Sequence, residues 1–283
     1  MLLPEVEYAR PATVDEAISL LSTYDGARPL AGGQTIVNVM KARAGAPDVL
    51  VDLADLHELR SIGFSSDGRL EIGAMVTYAQ LMASSEVEVA RPILAEVAAT
   101  IGDVQVRNRG TVGGNVCVSD PTNHLPPLFA ALDATFTIRG QSGERTVSSD
   151  EFFVGVYMTA VAEGELLTKV SVPASSGAGD GFSGLTIGKH GTYIVNAAAT
   201  VSAGAARIAI GCVSATPVRA TEMEERLAGG DFSEESVRAA AVGLGASLDP
   251  PSDVHGSADF RRHLAEVSAV RAVTQAAGRR KGS

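Results

Sequence analysis

Two short stretches, Ala31-Gly32-Gly33-Gln34-Thr35 and Thr111-Val112-Gly113-Gly114-Asn115, each put paired glycines beside a hydroxyl and an amide. Glycine opens positive φ and removes the side chain that would hold a ligand away from the backbone. A turn that runs into a helix adds free amides and the positive end of the helix dipole. Either stretch alone reads as a tight turn or as a phosphate cradle. The pair reads as one ligand with two phosphates, held between separate parts of the fold. Neither stretch fits G-x-G-x-x-G or G-x-x-x-x-G-K-[ST], so the Rossmann and P-loop readings lack their fingerprints and another dinucleotide fold is required. Arg107 and Arg109 flank the second stretch and are candidates to attract an anion.

The surrounding pattern is α+β. A strand is expected over Glu5–Tyr8, and Thr13-Val14-Asp15-Glu16 is a capping box ahead of Val14, Ala17, Ile18 and Leu21 at helical spacing. The chain returns through Arg28–Ala31, meets the first glycine pair, continues through Ile36, Val37 and Met40, and reaches a buried strand at Val49–Leu53. The order β-α-β-α-β indicates a small unit with a parallel or mixed sheet. Next come a strand over Arg69–Ala74, a helix from Thr77, a longer helix from about Val87 to Thr100, an apolar helix around Pro127–Leu132, a hairpin over Thr135–Val147 and a strand over Leu166–Pro173. Residues 174–181, Ala-Ser-Ser-Gly-Ala-Gly-Asp-Gly, have linker composition. This divides the chain into an N-terminal unit at 1–55, a second unit at 56–173, a linker at 174–181 and a C-terminal unit at 182–283. In the last, strands at 194–201 and 207–213 and helices at 222–228, 234–245 and 258–277 are expected.

Composition removes several classes of function. A net charge of −10 disfavours nucleic acid as the main partner. The longest nearly uncharged run, from Gly191 to Ala206, is too short and too polar to span a bilayer, and the N-terminus has no signal-peptide pattern, which points to the cytoplasm. The only cysteines are Cys117 and Cys212, too few for a four-cysteine iron–sulfur cluster, and with His57, His255 and His263 they show no metal-ligand spacing. No metal site is expected. Arg279-Arg280-Lys281 reads as a solvated, frayed end.

Four ordered segments carry a resemblance to a known family: "AGGQTIVNVMKARAGAPDVLVDL", "LEIGAMVTYAQL", "VRNRGTVGGNVCVSDPTNHLPPLFAALDA" and "GELLTKVSVP". They are similar to the FAD-binding medium subunit of the molybdenum hydroxylases, the xanthine dehydrogenase and aerobic carbon monoxide dehydrogenase family. The resemblance implies a two-subdomain FAD-binding fold of the vanillyl-alcohol oxidase (PCMH) type with a small α+β C-terminal domain. It implies that Pro29, Leu30, Ala31, Gly32, Gly33, Gln34, Thr35 and Ile36, with Thr111, Val112, Gly113, Gly114 and Asn115, enclose the FAD pyrophosphate through backbone amides. It also places Asp120 and His124 near the ribityl or adenosine part, Leu167 in the flavin pocket and Tyr193 beside the isoalloxazine ring. Three positions depart from the family pattern. His124 stands where an acidic residue is common before L-P, Lys189-His190-Gly191-Thr192-Tyr193-Ile194 lacks the usual aspartate, and Cys117, a small buried filler, replaces an alanine.

What the resemblance implies functionally is an oxidoreductase subunit, with no catalytic residue assigned on this chain. It passes electrons from iron–sulfur clusters to an external acceptor, soluble or quinone-type. The expected partners are a small subunit with two [2Fe–2S] clusters and a large molybdopterin-binding subunit, arranged as a dimer of heterotrimers, and substrate hydroxylation takes place on the large one. Two rival readings remain: a self-sufficient FAD-dependent oxidase or dehydrogenase using Tyr193, His190 or His124 as acid or base, and a non-catalytic nucleotide-binding protein.

Overall fold

The structure is a computed structural model and describes residues 3–188 and 192–280. The first unit follows the order read from the sequence: β1 (Glu7–Ala9), α1 (Val14–Thr23), β2 (Ala27–Leu30), α2 (Ile36–Lys41) and β3 (Val49–Asp52). Its three strands are parallel in the order β1-β3-β2. Thr13 Oγ1 accepts the amide of Glu16, while the Glu16 carboxylate reaches back to the amide of Ala12, one residue before the expected partner. Val14, Ala17, Ile18 and Leu21 line the buried face of α1 and close a core with Val49, Val51 and Leu53.

The second unit opens with β4 (Ile62–Phe64) and β5 (Leu70–Gly73) and then runs through six short helices: α3 (Tyr78–Ala83), α4 (Ser85–Ala90), α5 (Pro92–Ala98), α6 (Val104–Arg109), α7 (Val112–Val118) and α8 (Leu125–Ala131). It continues with β6 (Thr135–Gly140), β7 (Gly143–Ser148), α9 (Ser149–Phe152), the small hairpin of β8 (Phe153–Gly155) and β9 (Met158–Thr159), and β10 (Leu166–Val172). The sheet order is β4-β5-β10-β6-β7, and β6–β7 is the expected hairpin. The single helix expected over Val87–Thr100 is two. Arg91 at the junction has φ −154° and ψ 74°, because proline at 92 disfavours helical backbone in the residue before it and lacks an amide to continue the ladder. Phe129, Phe136, Phe152 and Phe153 form the aromatic centre of this core, with the Phe136 and Phe152 rings stacked at 4.0 Å.

The C-terminal unit has an antiparallel sheet of β11 (Gly179–Thr186), β12 (Tyr193–Ser202), β13 (Ala205–Gly211) and β14 (Val218–Arg219), covered by α10 (Thr221–Leu227), α11 (Glu234–Ala241) and the long α12 (Ala258–Arg279). Here the linker reading of 174–181 needs correction, because its last three residues already belong to β11. Glycine stands at 179 and 181 because α12 crosses the strand at backbone contact: a Cβ at either position would lie 2.0 Å from the carbonyl oxygen of Ala276 or Ala272. Asp180 between them is buried and accepts Arg91 Nη1 at 2.6 Å and Thr200 Oγ1 at 2.8 Å, while Arg91 Nε donates to the carbonyl of Pro173. That ion pair ties the second unit to the C-terminal sheet. The end of the chain is also less free than its composition indicated: Arg279 pairs with Glu96 at 2.9 Å and Arg280 lies 6.0 Å above the ring of Phe232, while Lys281 falls outside the described residues.

Candidate functional site

The two glycine stretches meet. Gly32 lies so close to the segment before the second stretch that a Cβ on it would sit 2.0 Å from the carbonyl oxygen of Arg109. The first stretch follows the C-terminal end of β2, where Pro29 and Leu30 pair with Val51 and Asp52, and it turns into α2. Of the four paired glycines only Gly33 has positive φ, +74°. Gln34 folds its amide back on the carbonyl of Gly32 at 3.2 Å, and Thr35 leaves α2 without a side-chain cap. Among the described residues, no group accepts the amides of Gly32, Gly33, Gln34, Thr35 or Ile36. Buried or half-buried amides demand partners, so five successive free donors at a turn form a ready anion cradle.

The second stretch is built differently from the turn expected. Thr111 caps α7, and Gly113 and Gly114 lie in the helix's first turn. The amide of Val112 donates to Val76 O at 2.9 Å, Gly113 to Ala74 O at 2.8 Å, Gly114 to Thr111 Oγ1 at 3.0 Å and Asn115 to Thr111 O at 3.0 Å. These four amides therefore have acceptors inside the protein, unlike those of the first stretch. Gly113 is needed because a Cβ would meet the Ala74 methyl at 2.6 Å. Gly114 is half-exposed, and a Cβ there would meet the capping Thr111 Oγ1 at 2.8 Å and lie 3.7 Å from the Ala31 methyl. At Gly114 the second stretch thus comes beside the first with no side chain of its own. Arg107 spends its guanidinium on the carbonyls of Ile101 and Gly102.

Asn115 lies in α7 and His124 at the start of α8. Asn115 is buried and donates Nδ2 to the Tyr78 hydroxyl at 2.9 Å, and its Oδ1 has no partner among the described residues. Asn123 Nδ2 reaches back to the Asn115 carbonyl and so fixes the segment that carries His124. His124 is buried at the start of α8, its Nε2 has no partner among the described residues, and burial pushes its pKa down to about 4, so the ring is neutral. It meets Tyr193 edge to face at 4.6 Å. Tyr193, half-buried, also touches Phe182 at 5.7 Å, and burial raises its phenol above the ordinary range. Thr168, beside buried Leu167, accepts the amide of Ala74, which in turn accepts Gly113. Asp120 follows Ser119, which has φ +48°. Its Oδ1 accepts the Thr122 amide and hydroxyl, and its Oδ2 the Tyr157 hydroxyl at 3.3 Å. His190 lies outside the described residues.

The group implied by this arrangement is tested by what lacks a partner. Free donors line one loop, Gly114 lies beside that loop with no side chain, and two buried polar atoms, Asn115 Oδ1 and His124 Nε2, await a ligand along the adjoining helices. A dinucleotide with a charged centre and a hydroxylated arm fits that sequence of demands. Cys117 packs against the core and its thiol is raised to about 12 by burial, and burial raises Cys212 to about 12 as well, against the opposing pull of the Arg261 guanidinium. The described residues hold no cluster of three or more His, Cys, Asp or Glu able to bind a metal, and no helix long and apolar enough to cross a membrane. Sequence reasoning missed Tyr78 and Arg261. The second is a buried arginine on α12 whose role depends on a sheet irregularity that no local pattern displays.

Comparison with known proteins agrees. Residues 4–175 match the FAD binding domain in molybdopterin dehydrogenase, and residues 191–276 match the CO dehydrogenase flavoprotein C-terminal domain. The chain is 37% identical to the carbon monoxide dehydrogenase medium chain of Hydrogenophaga pseudoflava, covering 98% of both. It is 32% identical to the glyceraldehyde dehydrogenase medium chain of Sulfolobus acidocaldarius, covering 98% of this chain and all of the relative. Its fold superposes on a chain of the crystal structure of cyanide-inactivated Cu,Mo-CO dehydrogenase with a TM-score of 0.94 at 34% identity, over 99% of this chain and all of the other. With these likenesses spanning both glycine stretches and the C-terminal unit, the chain belongs to the FAD-binding medium-subunit family of the molybdenum hydroxylases, multi-subunit oxidoreductases.

Proposed function

We propose that this chain is the electron-transfer subunit of its complex, receiving electrons from iron–sulfur clusters on a small partner and delivering them to an external acceptor. The observation that carries the reading is the run of five free amides beside Gly114. The amides of Gly32 to Ile36 bind the pyrophosphate, and the Thr35 hydroxyl, free of any capping bond, adds a donor. Asn115 Oδ1 accepts from, and His124 Nε2 exchanges a hydrogen bond with, the hydroxylated arm. The Tyr193 ring shields one edge of the site and excludes water from it. Bound FAD supplies a centre that takes up two electrons and exchanges them singly or in pairs.

The remaining chemistry must come from other chains. Two cysteines are too few for a four-cysteine cluster, which supports a small subunit carrying two [2Fe–2S] clusters. A large molybdopterin-binding subunit then carries the substrate, with the assembly a dimer of heterotrimers. Two of the three groups named for the self-sufficient reading argue against it: His124 is a weak base at about 4 and the Tyr193 phenol is raised, so neither is poised to move a proton near neutral pH. The test is to purify the chain with its companions, record the visible spectrum and identify the released cofactor by mass. FAD with iron–sulfur absorption and two co-purifying subunits is expected. A folded, colourless chain that neither retains nor rebinds FAD overturns the reading.

A further inference from the structure

We infer that Arg261 is the residue that positions Tyr193, and that it does so by holding a bulge in β12. The inference rests on the reading above only where it places Tyr193 beside the cofactor. The β11–β12 ladder runs residue by residue to Leu185↔Val195 and then shifts to Thr186↔Tyr193, so Ile194 is the extra residue of a β-bulge. The β12–β13 ladder begins at Asn196↔Gly211 and does not reach Ile194 either. A buried residue with no cross-strand partner leaves a carbonyl that needs a donor from elsewhere. Arg261 supplies it: Nη1 donates to Ile194 O at 2.8 Å.

The guanidinium is itself held. Arg261 is 5% exposed, and its Nη2 donates to Asp253 Oδ2 at 2.7 Å. Asp253 lies in a tight turn closed by its own amide on Gly256 O, with its second oxygen accepting the amide of His255. Tyr193 is therefore fixed from two directions. His124 and Phe182 meet its ring, and Arg261 holds the peptide that follows it. A bulge re-aims the side chains around it, and this one lies where the aromatic residue of the site leaves the sheet. Arg261 touches neither ring nor proposed cofactor and acts through the backbone, as a positioning residue.

The test uses the full chain labelled with 3-fluorotyrosine, with the Tyr193 resonance assigned by its loss in Tyr193→Phe. Arg261→Met keeps the stem and removes the donors. The Tyr193 resonance is expected to shift and broaden in the FAD-free chain, while FAD affinity stays within about threefold of wild type. In the FAD-loaded chain, flavin fluorescence is expected to rise at least about twofold, as in Tyr193→Ala, with no further rise in the double variant. Arg261→Lys should restore the resonance in part, since one donor can still reach Ile194 O. A folded Arg261→Met chain with an unmoved Tyr193 resonance overturns the inference. If that variant does not fold, Asp253→Asn decides in its place, with a smaller shift in the same direction supporting the inference and none overturning it. If Tyr193→Ala leaves the fluorescence of bound FAD unchanged, the flavin-side reading of Tyr193 fails, and the FAD-free resonance still decides the role of Arg261.

Discussion

The two glycine stretches look alike in sequence and behave as opposites in the fold. At Gly32–Ile36 the amides are free, the threonine caps nothing and one glycine has positive φ. At Val112–Asn115 every amide has a protein acceptor, the threonine caps a helix and the glycines are helical. The difference teaches that a paired glycine can serve a ligand in two ways, by donating from its backbone or by keeping a wall bare. Which one applies is decided by what the neighbouring strand offers. Ala74 and Val76 present carbonyls to α7, and among the described residues no segment does so for the first stretch.

The comparison breaks first at Gly114. Valine there presses on the Thr111 Oγ1 cap, 2.8 Å from the new Cβ, and extends toward Ala31, and should cost at least about a hundredfold in FAD affinity; a fluorescence titration of the folded variant showing wild-type affinity would remove the second stretch from the site. Alanine at Gly32 should act through the fold, because its Cβ meets a backbone carbonyl that cannot swing away. We expect a loss of about 2–3 kcal/mol in denaturant unfolding, with FAD weakened as the loops part. Thr111→Ala removes a cap and should cost about 1 kcal/mol in the same experiment, with a lesser effect on binding. Thr35→Ala sharpens the contrast from the other side. It should leave stability within about 0.5 kcal/mol and weaken FAD a few-fold, and a clear loss of stability would show that this threonine caps as well.

Much of this was legible without coordinates. The β-α-β-α-β order, the Thr13 cap and the Thr135–Val147 hairpin all follow from local pattern and spacing, and the likeness of the two glycine stretches pointed to their meeting. What was illegible depended on distant chain. Gly179 and Gly181 have linker composition, and only the passage of α12 across β11 shows them as packing glycines. The amides of α7 find their acceptors in Ala74 and Val76, which arrive from another element and leave no trace in the local pattern. Arg261 is separated by 67 residues from the carbonyl it holds, and the need for it arises from a register shift that leaves no mark in composition.

The ion pair of Arg91 with Asp180 bears on how such subunits can be recombined. By sequence the border near residue 175 invites exchange of C-terminal units between relatives. A hybrid joined there inherits Arg91 from one parent and Asp180 and Thr200 from the other. Should the incoming unit lack the carboxylate, a guanidinium is stranded inside the new protein, at a cost of about 3–5 kcal/mol. Inheritance of this fold is therefore modular only for parents that share the triad.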